Sequence, residues 1–259
     1  MKQLARYRLD ELEVLDERSF RHVGVYQELR GALASMDAQF LVADPKGPLA
    51  AVDPVSLLNL AYWAPGGALE VLAEPALSAD QLAHNAWHRV AERALGEHAR
   101  TADGLLLAEA VASAFDLYAV GRLLGHAPES EFLETQVPAM SDAAAAAGLD
   151  EAGFEALLQR SVAEPEACFE LLRELLFDTS VALVAAPDLE AAAEVLSHAA
   201  RHPLGALLYH YELTTWVLFA RAYATSLAPC PDVRAIDAEL RAAPDAMAWL
   251  ERRWLARIS

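Results

Sequence analysis

Leu105-Leu-Leu-Ala-Glu109-Ala-Val-Ala-Ser113-Ala-Phe-Asp116-Leu-Tyr-Ala-Val-Gly-Arg-Leu-Leu124 is the stretch whose reading decides the fold. It is Ala- and Leu-rich and contains no proline, which is the composition of a long helix. Its polar residues before Tyr118 are Glu109, Ser113 and Asp116, which fall within roughly 60° of arc on an ideal helical wheel. Unpaired carboxylates cost several kcal/mol to bury, so two of them on one face of a core helix call for a partner.

The segment before it supplies candidates for that partnership. Ser78-Ala-Asp-Gln81 reads as a capping box opening a helix that stops at Gly96. Along that helix His84 and His88 lie one turn apart at the edge of the apolar stripe formed by Ala83, Trp87, Val90, Ala91, Ala94 and Leu95. Two imidazoles at this spacing and a carboxylate from the following helix form a donor set for a divalent metal, zinc or iron. The readings left open for the carboxylates are an ion pair with Arg122 or Arg221, or backbone donors. A second pair at the same spacing, His198 and His202, shares its face with Glu190, Glu194 and Arg201 and reads as surface.

Outward from these helices the chain continues in helix-sized segments. Leu9 to Leu41 reads as one or two helices, a further helix begins at Asp53-Pro, and Leu69–Ala73 reads as a short one. Residues 126–150, with Pro128, Pro138, Gly148 and an alanine run, read as an irregular segment or cover, the run itself being open to a short helix. Phe177–Ala186 is the one stretch resembling a strand. A long apolar helix is expected from His202-Pro to Leu227, and another segment, Ile236–Ile258, closes the chain. On the Leu204–Leu227 segment His210, Thr214 and Arg221 share a face and Glu212 points away from it. This gives His210 as a ligand, proton carrier or core histidine, and Arg221 as the cation for a substrate carboxylate or for Glu109 or Asp116. The expectation is an all-α fold, residues 1–259 forming a single-domain bundle of about eight to ten helices.

The 259 residues carry a net charge of −18, which disfavours nucleic acid and anionic membranes as partners. The two cysteines, Cys168 and Cys230, are isolated, and no stretch reads as a signal peptide or membrane span. A cytoplasmic location is expected. Nucleotide-loop and nucleophile-elbow motifs are absent.

The arrangement His84-xxx-His88, then Glu109 within Ala108-Glu-Ala-Val-Ala-Ser113, resembles the gluzincin metallopeptidases. The resemblance implies zinc on His84, His88 and Glu109, and places Ser113 where the family has a carboxylate orienting a ligand histidine. It departs at Asn85, which stands where the family has its general-base glutamate, and an amide cannot take a proton from bound water. The functional expectation is therefore a metal-dependent enzyme acting on a small molecule or peptide. Its metal would lie on His84, His88 and Glu109, with Asp116, His210 and Arg221 in catalytic roles, either as a non-haem iron oxygenase or oxidase or in zinc chemistry. The alternatives are a zincin-like protein that has lost catalysis and a non-enzymatic acidic helical module with a buried polar network. A homodimer is left open.

Overall fold

The computed structural model describes residues 3–44 and 69–256. Helix dominates, as the composition implies, with eleven α-helices and five short strands among the described residues. The strands β1 (Gln3–Arg8), β2 (Glu13–Leu15), β3 (Gln39–Asp44), β4 (Val71–Leu72) and β5 (Ala76–Ser78) form two small sheets. β1 pairs antiparallel with β3, and β4 joins β3 in parallel through Leu41↔Val71. β2 pairs in parallel with β5 through Val14↔Leu77. Between β2 and β3 lie α1 (Glu17–Phe20) and α2 (Tyr26–Ser35).

β5 runs directly into α3 (Ala79–Leu95), where Gln81 Oε1 accepts the backbone N–H of Ser78 at 3.2 Å, as expected for the capping box. Gly96 ends α3 at φ +56°, a conformation that favours glycine. Thr101 then caps α4 (Ala102–His126), its hydroxyl accepting the N–H of Gly104 at 3.1 Å. This is the Leu105–Leu124 helix. It is long and apolar enough to cross a bilayer, but 83% of its most apolar window is buried within the fold.

α4 is the axis of the molecule. It packs chiefly on α3, α6 (Glu151–Ala163) and α7 (Pro165–Ala185). At Gly121 the backbones of α4 and α6 approach so closely that a Cβ would overlap the carbonyl of Ser161. Glycine is required there by contact rather than by φ. α5 (Glu131–Ala146), α8 (Leu189–Ala199), α9 (His210–Tyr223), α10 (Pro231–Ala242) and α11 (Ala246–Leu250) complete the helices, followed by a π-turn at Glu251–Leu255. Among the described residues Arg173 on α7 is a charged group lying wholly inside: it is 0% exposed and donates to both oxygens of Glu170 at 2.6 Å and to Asp237 of α10 at 2.7 Å. The bidentate geometry and the second carboxylate satisfy a guanidinium that would otherwise be costly to bury.

The structure corrects several expectations. Residues 9–41 are part strand, because Glu13–Leu15 pairs with Ala76–Ser78 and the start of Gln39–Asp44 pairs with Gln3–Arg8, partners that a helical wheel does not register. Leu69–Ala73 is not helical, as Val71–Leu72 adds to the sheet edge. The segment 126–150 is mostly the regular helix α5, which carries Pro138 inside it. Phe177–Ala186 continues α7 as helix rather than strand. The apolar run after His202 breaks at Gly205–Leu207, and the last segment breaks between Ala242 and Ala246. The helix expected at Asp53 lies outside the described residues.

Candidate metal centre

The capped start of α3 and the capped start of α4 fix the two helices side by side, so that His84, His88 and Glu109 meet. His88 Nε2 is 3.1 Å from His84 Nε2 and 2.8 Å from Glu109 Oε2. The donor atoms of all three lie within 4.8 Å of one another. A tetrahedral ion with donors at about 2.0–2.1 Å sets its ligand atoms about 3.3 Å apart, close to the two shortest separations here.

The arrangement is awkward without a cation. His88 Nε2 carries either one hydrogen or one lone pair, yet it faces a carboxylate oxygen and a second imidazole nitrogen at once. Burial, then the neighbouring His88, lowers the His84 pKa to about 4, against the raising influence of Glu109. His84 is therefore neutral at physiological pH and keeps the lone pair a metal requires.

Neither arginine weighed as a partner for Glu109 reaches it. Arg122 donates to Tyr118 Oη at 3.1 Å and pairs with Glu166 at 3.2 Å. Arg221 is exposed, and its guanidinium lies 3.3 and 3.4 Å from the carbonyls of Val184 and Ala186, at the C-terminal end of α7. Arg221 is thus a helix-end cap in place of the expected substrate cation. His210, also expected at the site, is exposed at the first turn of α9. Glu212 does lie opposite His210 and Arg221, but α9 turns the Glu212 side inward, with Leu213, Trp216 and Ala220 buried. The outer side carries Leu218, 62% exposed, so apolarity alone misled the choice of face.

A cavity of about 240 Å³ adjoins the triad at His84, walled by Ser113 and Asp116 of α4, Gln136 and Met140 of α5, and Tyr209, Glu212 and Trp216. Asp116 is thereby brought to the same cavity as His84. Burial first, then the charges of Asp80, Glu212 and Glu109, holds its pKa well above the usual carboxylate range. Glu212 is open to solvent on its outer side but crowded by protein on the other, and burial together with Glu109 raises it to about 7. Glu212, Tyr209, Gln136 and Trp216 were missed from sequence. The one available signal was that Glu212 interrupts an apolar helix on the side of Leu213 and Trp216.

Asn85 is turned away from His84, His88 and Glu109. Its amide donates to Glu70 Oε2 at 2.7 Å and to the carbonyl of Gln81 at 2.8 Å, tying α3 to the edge of the sheet. Comparison with protein-family models, with curated proteins and with solved structures gives no match for the chain.

Proposed function

We propose that this protein is a metal-dependent enzyme acting on a small molecule, with a divalent cation, zinc or iron(II), held by His84, His88 and Glu109. The observation that carries the reading is the single ring nitrogen of His88 set against both His84 Nε2 and Glu109 Oε2. Three protein ligands leave coordination positions for water or substrate, as catalytic sites require. The neighbouring cavity is small for a peptide and falls below the usual range for drug-sized ligands, which favours a small substrate.

Within this reading the proton-carrying roles change places. Asp116, its carboxyl held well above the usual carboxylate range by burial, lines the space a substrate would occupy. Glu212, ionising near neutrality beside Glu109, is the group suited to take up and return a proton at its carboxylate. Asn85, bound to Glu70 and Gln81, gives no support to a peptidase mechanism.

The test is elemental analysis of protein expressed with zinc and with iron, alongside His84→Ala and Glu109→Ala. A loss of about one equivalent of metal in both variants relative to the parent protein supports the proposal. Absence of metal under both supplements, or an unchanged metal content in both variants, overturns it. Activity screens on the metal-loaded protein against Glu212→Gln then test the proton role.

A further inference from the structure

A second set of metal-ligating side chains lies away from the cavity, where the turn between α3 and α4 meets the start of α10. His98 belongs to the 3-10 turn Gly96–Arg100. Cys230 is the residue immediately before α10, and Asp232 lies in its first turn. His98 Nε2 is 3.5 Å from Asp232 Oδ2, and the Cys230 sulfur lies within 4.8 Å of both. We propose that His98, Cys230 and Asp232 form a second metal site, taking zinc or another thiophilic divalent cation, that clasps the C-terminal helices to the α3–α4 turn.

The backbone around all three ligands is fixed by bonds that do not use their side chains. The backbone N–H of Thr225 donates to the carbonyl of Arg100 at 2.8 Å, and that of Ala102 to the carbonyl of Ser226 at 2.9 Å. Buried Asp103 accepts the backbone N–H of Cys230 and the Arg234 guanidinium, both at 2.8 Å. Close packing adds to this: a Cβ at Gly104 would overlap the carbonyl of His98, so the turn bearing His98 is pressed onto α4. Two segments far apart in sequence thus present sulfur, nitrogen and oxygen donors from rigid supports, which lowers the ordering cost of closing a site. The Cys230 side is buried and the Asp232 side is exposed, which leaves an entry path for the ion. Simple pairing of His98 with Asp232 accounts for two of the three groups. It leaves unexplained a buried thiol placed against both, and a thiolate–imidazole–carboxylate set is a zinc-type donor set.

The site is distinguishable from the first because only this one contains sulfur. Cobalt(II) added to the metal-free full chain is expected to give a thiolate-to-cobalt charge-transfer absorption in the near ultraviolet. That absorption is retained in His84→Ala and lost in Cys230→Ser and in His98→Ala. Zinc content is expected to fall by about one equivalent in each of the latter two. Bound cobalt without the sulfur absorption, or the absorption persisting in Cys230→Ser, overturns the proposal. The absorption appearing while the His84→Ala and Glu109→Ala variants keep all their metal upholds this site and overturns the first. Circular dichroism of Cys230→Ser, a near-isosteric change, verifies that loss of the signal is not loss of the fold.

Discussion

His84 Nε2 and His88 Nε2 stand 3.1 Å apart on successive turns of α3, with Glu109 Oε2 closing the triangle from α4. Two imidazole nitrogens that close are compatible through one shared hydrogen or through a cation, and the nearby carboxylate favours the cation. The consequence is a ligand-linked stability. In a Cys230→Ser background, which removes the second site, zinc at a hundredfold excess over its Kd is expected to stabilise the fold by about 2.7 kcal/mol. His88→Ala in that background is expected to abolish the zinc-dependent rise in Tm. A rise of equal size in the variant counts against the triad as the binding site.

Asn85 is 2% exposed and binds Glu70, so a carboxylate there meets another carboxylate in a dry setting. Asn85→Glu is expected to destabilise by roughly 2–4 kcal/mol, read by urea denaturation, and to bring no peptide hydrolysis. A stable Asn85→Glu protein that cleaves peptides would revive the peptidase reading.

The titration of the site runs in two opposed directions when metal is stripped by a chelator. Glu212 holds its proton to about 7 in the fold against an ordinary value of 4.5, so the folded state binds the extra proton between them and stability falls as pH rises through that window. His84 is lowered to about 4 from 6.5, so the unfolded state binds the extra proton there and stability falls as pH drops from 6.5 towards 4. Glu212→Gln is expected to match the parent near pH 4 and to gain on it steadily up to about pH 7, with the difference flat beyond. A stability difference independent of pH in chemical denaturation contradicts this.

Gly121 sits mid-helix, where alanine ordinarily improves stability by about 1 kcal/mol. Against the Ser161 carbonyl the sign reverses. Gly121→Ala is expected to cost about 2–3 kcal/mol by forcing α4 and α6 apart, while Gly31→Ala on α2, whose Cβ meets nothing within 4 Å, is expected to be neutral or stabilising. Thermal unfolding of the two variants side by side checks both.

The helices bearing the triad were legible because composition and periodicity agree in both, with Ser78 and Gln81 at the start of α3 and Gly96 at its end; the cap at Thr101, which starts α4 three residues before Leu105, was not read. The polar face of α4 was legible for the same reason, since Glu109 and Asp116 contrast with everything around them. Strand pairing was not, because β1 and β3 stabilise each other across more than thirty residues and neither is distinctive alone. α9 shows a different limit. Its wheel separated His210 and Arg221 from Glu212, but only packing against α4 and α7 shows which side faces the cavity. Pro138 sits within a helix whose buried Phe132, Leu133, Met140 and Ala144 hold it in place, a tertiary gain that outweighs the local breaker.

The placement of the triad and of the cavity wall along the chain sets an order in time. The candidate donors come from residues 84–109, whereas the wall residues Leu207, Tyr209, Glu212, Leu213 and Trp216 arrive about a hundred residues later in a chain made from its N-terminus. If the triad takes up an ion, its three donors are therefore made well before the segment that walls the adjoining cavity, and Tyr209, Glu212 and Trp216 complete that wall last.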